Sequence, residues 1–349
     1  MEWVSTYILQ HIDFGTLAIL FCLMGVVAGF QMLGYIDDIA RVITMKAKNL
    51  RMLLVTLTMV CFFLSMLVTN DVALIIMVPF AIQVLHRVGQ EDKLIQLVVL
   101  QTIAANLGSM ATPIGNPQNV YLYQYYQLDL VTFVKGLFPY VLVSAILLVF
   151  ILWLDKDGTR AVVLLDEENK HQDFGKWEKG MKTIVYIILF VICLLTVLDV
   201  ICWPIMLAIV GIGIGLCEYR LFKEINYGLL GKFVVLFLIV GNIAAIPWIR
   251  EYLQSIVSGN EFILGILFSQ FMSNVPAAIM MSKFTEQGMN LLLGVNVGGL
   301  GTLIASMASI ISLEFFSKAM PDQKKKYVMK FTGYNLIFLV VLCIVKVAL

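Results

Sequence analysis

Eight apolar runs, most of them about 20 residues long, fill most of the chain, and about 20 residues carry a helix across about 30 Å of hydrocarbon. They lie at about Phe14 to Gly34, Leu94 to Tyr123, Val131 to Leu154, Thr183 to Leu198, Trp203 to Cys217, Gly228 to Ile246, Leu291 to Phe315 and Tyr327 to Val347. Backbone amides and carbonyls in lipid must pair within the segment, so runs of this kind fold as an all-α integral membrane bundle. The length of 349 residues alone would suit two soluble domains, but only 13% of residues are charged, against about 25% in soluble chains. A net charge of +1 gives no electrostatic reason to expect a nucleic acid partner.

Two further apolar segments are broken near their centres, Leu53 to Leu85 around Thr69-Asn70-Asp71 and Phe262 to Phe284 around Ser273-Asn274-Val275-Pro276. Both read as re-entrant hairpins. The distribution of Lys and Arg supports this layout, because positive charge accumulates in cytoplasmic loops. With both termini extracytoplasmic, 20 of the 24 basic residues fall on the inner side, and only Lys135, Arg250, Lys283 and Lys346 fall outside. Reading either hairpin as two full crossings spoils that split. The N-terminus has no basic stretch and no cleavage site before its first apolar run, so it is not expected to act as a secretory signal. The expected location is the cell membrane, inner or plasma, as a multi-pass protein.

The two halves repeat. Leu20, Phe21, Gly25 and Ala28 match Leu236, Phe237, Gly241 and Ala244; TNDVALIIMVPF from Thr69 matches SNVPAAIMMSKF from Ser273; NLGSMATPIGN from Asn106 matches NVGGLGTLIAS from Asn296. An odd number of crossings separates the two units, so the second is expected to be inverted. The domain reading is a first inverted repeat over 1–154, a cytoplasmic connector over 155–182 and a second inverted repeat over 183–349. In each unit a short amphipathic stretch, Tyr35 to Asn49 and Pro247 to Ser258, is suited to lying in the membrane interface.

A helix interrupted in lipid strands polar backbone groups at several kcal/mol each, so such breaks persist only inside protein or beside a wet cavity. Four breaks occur, paired by the repeat: the two hairpin tips and the broken spans 106–119 and 296–309. Their candidate binding residues are Thr69, Asn70 and Asp71 at the first tip and Ser273, Asn274, Val275 and Pro276 at the second. The first broken span adds Asn106, Gly108, Ser109, Thr112, Pro113, Gly115, Asn116, Gln118 and Asn119; the second adds Asn296, Gly298, Gly299, Gly301, Thr302, Ser306 and Ser309. Unwound carbonyls and short oxygen-bearing side chains suit a small cation, while half-helix N-termini suit an anion. Na+ is expected at Asn70, Asp71, Asn106, Asn274 and Asn296, with no other cofactor.

No Lys or Arg is expected at the depth of the breaks, so a bound anion would be neutralised by helix dipoles and a co-bound cation. Asp71 is the one acid there, and an intramembrane carboxylate points to function, with helix capping as the structural alternative. Glu314, Asp199, His11, His86 and His171 map to span ends or loops. The six cysteines sit in or beside apolar runs without metal-ligand spacing, and read as apolar filler. An enzyme is not expected, since neither a Gly-x-Ser-x-Gly elbow nor a metal-spaced His pair is present.

At TNDVALIIMVP, ATPIGNPQNVYLY and SNVPAA the sequence resembles the ion transporter superfamily: divalent anion:sodium symporters, arsenite permeases, NhaD-type antiporters and citrate-transporter-like solute-carrier permeases. The resemblance runs from about Asp13 to the end. The Ser-Asn-Thr tips of the symporters correspond to Thr69-Asn70-Asp71 and Ser273-Asn274-Val275, with departures at Asp71 and Val275. The acidic tip and the run Gly115 to Asn119 look closer to the arsenite permease branch. The resemblance implies an elevator-type transporter, often a homodimer, with interfacial helices as arms. It also implies spans ahead of Phe14 that this chain lacks, an N-terminally short first unit. The leading expectation is cation-coupled transport of a small anion, driven by Na+ or H+. Alternatives are Na+/H+ antiport through Asp71 and arsenite or antimonite efflux.

Overall fold

A computed structural model describes residues 12–34, 49–160, 176–198, 200–244 and 246–349. The stretch 35–48, most of the connector (161–175), His11, His171 and Asp199 lie outside the described residues. The described chain is all-helical, and fifteen α-helices form it. The first half contains α1 (Phe14–Met32), α2 (Leu50–Leu64), α3 (Asn70–Arg87), α4 (Leu94–Ser109), α5 (Pro117–Tyr125) and α6 (Leu130–Trp153). The second contains α7 (Lys176–Val197), α8 (Trp203–Glu218), α9 (Tyr227–Ala244), α10 (Pro247–Val257), α11 (Glu261–Met272), α12 (Asn274–Ser282), α13 (Gly288–Gly298), α14 (Met307–Ala319) and α15 (Lys324–Ala348).

Local chemistry explains where these helices begin. Asp13 caps α1 by accepting from the Thr16 amide at 2.9 Å, Asn49 caps α2 through the Met52 amide at 2.9 Å, and Asp129 caps α6 through Val131 and Thr132. Among the described residues, six helical stretches are long and apolar enough to cross a membrane singly, or seven spans if the bent pair α10 and α11 is counted as one. Three of the eight expected crossings are not among the six: the spans at Leu94 and Leu291 are each split, and the run from Gly228 contains only a shorter apolar helix. Pro113 and Pro117 cannot continue the first, and glycines at 298, 299 and 301 interrupt the second. The second limb of the first hairpin, α3, is itself long enough to cross. The later part of α10, Glu251–Val257, is bent by 108° from α11.

The packing divides the described helices into two bodies. One holds both hairpins and both broken spans together with α6 and α15; the other holds α1, α7, α8, α9 and α10. The bodies meet mainly where α1 touches α5 and where α9 touches α12. There Tyr121 packs its ring 5.5 Å from that of Phe237, and Gln124 Nε2 donates to the Val197 carbonyl at 2.7 Å. Within the first body, α4 is buried along its whole length. At one end of it Lys93 bonds both carboxylate oxygens of Asp155 at 2.7 and 2.9 Å and pairs with Asp157 at 2.7 Å, tying the start of α4 to the segment after α6.

Candidate functional site

The site grows from four helix starts. Helices α3, α5, α12 and α14 each begin at one of the breaks, so four helix N-termini sit at the ends of the unwound segments. At the tips, Thr69 and Ser273 both hold positive φ, 65° and 75°, which a β-carbon disfavours. The surroundings must therefore hold these turns in place.

Hydrogen bonds show how. The Asn70 amide N–H donates to the Gly115 carbonyl at 3.0 Å, joining the first tip to the first broken span. Its side-chain Oδ1 accepts from the Asp71 amide, which orients Nδ2 toward Asn106 Oδ1 at 3.0 Å. Ser306, the residue before α14, donates to the same Asn106 oxygen at 3.0 Å. A second chain of amides runs beside the first. Asn116 caps α5 through the Asn119 amide and donates from Nδ2 to Ser109 Oγ at 3.1 Å and to Asn296 Oδ1 at 3.0 Å. Asn296 Nδ2 donates in turn to Asn119 Oδ1 at 2.7 Å, and Asn119 Nδ2 satisfies the Ser109 and Thr112 carbonyls. Residues nearly two hundred positions apart thus form one network, nearly all of it sealed from solvent.

Two polar atoms in this region are buried without a partner, Asn106 Nδ2 and Ser309 Oγ. Buried polar groups are nearly always paired, so each has capacity left for water or a bound molecule. Asn106 Oδ1 already accepts two hydrogens, which uses both its lone pairs. As arranged here, the unpaired atom of Asn106 is its amide nitrogen, a donor.

The remaining candidates divide. Asn274 lies against Gly299, where an added Cβ would sit 2.9 Å from its Nδ2, and Ser273 Oγ is 3.5 Å from the Ala305 carbonyl. Gly115 has no room for a side chain, since a Cβ there would fall 2.0 Å from the Ser109 carbonyl oxygen. Gly108 and Gly298 press in the same way on Ser65 and Ser269 of the hairpins. Pro113, Val275 and Pro276 carry no side-chain donor or acceptor, and Gln118, though buried, takes no part in the network. Thr112 and Thr302 face the hairpin limbs, donating to the carbonyls of Met66 at 2.6 Å and Gln270 at 3.2 Å.

Asp71 is partly buried in the first turn of α3, where a carboxylate interacts favourably with the helix dipole. It is not the cap: Thr69 fills that position, 3.5 Å from the Val72 amide.

The family model for citrate transporters matches residues 1–287. The chain belongs to the citrate transporter family. An uncharacterized transporter of Methanocaldococcus jannaschii is 30% identical over 306 residues, 86% of this chain and 81% of that protein. The Escherichia coli inner membrane protein YbiR is 29% identical over 307 residues, 86% of this chain and 80% of its own. The silicon efflux transporter LSI3 of Oryza sativa subsp. japonica is 28% identical over 151 residues, 42% of this chain and 31% of the rice protein. The protein is accordingly a multi-pass membrane transporter.

One residue that shapes this citrate transporter family member's site escaped sequence reasoning. Gln270, in the last turn of α11, donates from Nε2 to the carbonyls of Gly298 and Leu300, each at 2.9 Å, and to that of Ile266 at 3.1 Å. Its Oε1 accepts from the Thr302 amide at 2.9 Å. A polar residue three positions before the Ser273-Asn274 tip was the available signal, but the sequence of α11 does not show where the carbonyls of another helix will lie.

Proposed function

We propose that the protein is a cation-coupled secondary transporter of a small anion, driven by Na+ or H+. The observation that carries this reading is the group of four helix N-termini at the breaks, three of them tied together by hydrogen bonds and accompanied by the unpaired Asn106 Nδ2. Each N-terminus is equivalent to roughly half a positive charge, and such ends bind carboxylates and other oxyanions. The family description makes a citrate-like carboxylate the first substrate to try. Asp71 would meet the coupling ion: a carboxylate beside an anion is tolerable when it is protonated or paired with Na+.

The inverted repeat is part of the same reading. It is supported by matching contacts in the two halves, such as Thr112 with Met66 and Thr302 with Gln270. The division into two bodies, joined along a narrow seam, favours an elevator motion in which the body carrying both hairpins slides against the other, with α10 as an arm. We place the protein in the cell membrane with both termini extracytoplasmic, and a homodimer is compatible with this layout.

The experiment is uptake of radiolabelled citrate, other dicarboxylates, sulfate or arsenite into proteoliposomes with imposed Na+ or H+ gradients. Uptake that follows one of the gradients is expected. Uptake indifferent to both would overturn the coupling, and H+ exchange driven by Na+ with no anion present would make the protein an antiporter.

A further inference from the structure

Three backbone carbonyl oxygens, those of Ile266, Gly298 and Leu300, surround one nitrogen, Gln270 Nε2, at 2.9 to 3.1 Å. Ile266 lies within α11, while Gly298 and Leu300 come from the end of α13 and the unwound segment after it, and converging carbonyls at an unwound membrane segment are the donor set of a hard cation. Here a neutral amide occupies it. The fit is close on the other side as well, because Gly301, at φ 107°, would place a Cβ 2.3 Å from Gln270 Oε1. The first half is built differently at the matching place: Thr112 donates to the Met66 carbonyl as Thr302 does to that of Gln270, but a methionine side chain has no N–H to give.

We infer that Gln270 is a built-in, uncharged substitute for a cation in the second half, so that the transporter binds a single coupling ion, in the first half beside Asp71. This rests on the cation-coupled reading for its second clause only. The physical reasoning is a balance of donors. Carbonyls released from helix hydrogen bonding need either an N–H or a cation. Gln270 supplies two hydrogens on one nitrogen to the freed carbonyls of Gly298 and Leu300, and holds the segment 298–302 in shape whether or not an ion is present. Gln270 is thus a positioning residue, and the two halves, alike in sequence pattern, differ in what fills their unwound segments.

The test is equilibrium binding of radioactive Na+ to the full purified chain, with thermal unfolding followed in NaCl against choline chloride. Gln270→Glu keeps the shape and replaces the donating nitrogen by oxygen, leaving carbonyls and a carboxylate facing one another. The variant should bind one more Na+ per chain than the parent, and its unfolding temperature should rise with NaCl by more than the parent's. An unchanged ion count in Gln270→Glu, or a parent that binds two Na+ per chain, would overturn the inference. A parent that binds no Na+ while Gln270→Glu gains one would leave the substitution standing and remove Na+ as the coupling ion. Should Gln270→Glu not fold, Gln270→Met, which copies the first half, takes its place with the same expected gain, and the parent's ion count alone still decides.

Discussion

Asn106 is where the structural and the transport arguments meet, and substituting it separates them. In Asn106→Ala, the Asn70 Nδ2 and Ser306 Oγ donors both lose their acceptor while buried, at 4% and 1% exposure. Each buried donor left unpaired costs about 1–3 kcal/mol, so the variant should lose about 2–6 kcal/mol. Ser306→Ala alone removes one bond while Asn106 Oδ1 keeps Asn70, a loss of about 1 kcal/mol. The double variant has no serine hydroxyl to strand, so its loss should fall short of the sum of the two by about 1–3 kcal/mol. Chemical unfolding in mixed micelles measures all three. A hydrogen bond to a charged group is worth about 1.5–3 kcal/mol, so removing Asn106 Nδ2 should also weaken anion affinity by about tenfold to about a hundredfold, whereas Ser306→Ala should leave it within a few-fold. Losses that add within about 0.5 kcal/mol would show that Ser306 and Asn106 do not share a bond, and unchanged anion affinity in Asn106→Ala would remove the site from that side chain.

Asp71→Asn should insert and fold, because Thr69 and not Asp71 caps α3, while gradient-driven uptake in proteoliposomes falls at least tenfold; full coupling in the variant would return Asp71 to a structural role. Gly115→Ala drives a methyl into the Ser109 carbonyl and should cost about 1–3 kcal/mol or more in thermal unfolding, whereas Gly333→Ala, with nothing within 4 Å of its Cβ, should be neutral or gain up to about 1 kcal/mol. At the aqueous end of α4, the hydrogen bond from Lys93 holds Asp157 below the usual carboxylate range. A depressed folded-state value makes that contribution complete above about pH 4 and lost as pH falls through the lowered value, so Asp157→Asn should flatten the acid limb of the stability profile slightly. An identical acid limb in parent and variant would count against the link.

How much of this was legible from the residues depends on the range of the force involved. Apolar runs report their own burial, and Pro113, Pro117 and the Asn-rich tips report their own breaks, because length, donor loss and capping act within a few residues. The apolar helices and the places where they break were therefore readable from the residues alone. Which break touches which was not. That Asn106 would accept from Ser306, that Asn116 would reach Asn296, and that Gln270 would meet the carbonyls of Gly298 and Leu300 all depend on how distant helices are set side by side. An asparagine in an unwound helix can give or take a hydrogen bond with equal ease. Only its neighbours in space choose, and at Asn106 they fill the oxygen and leave the nitrogen unpaired.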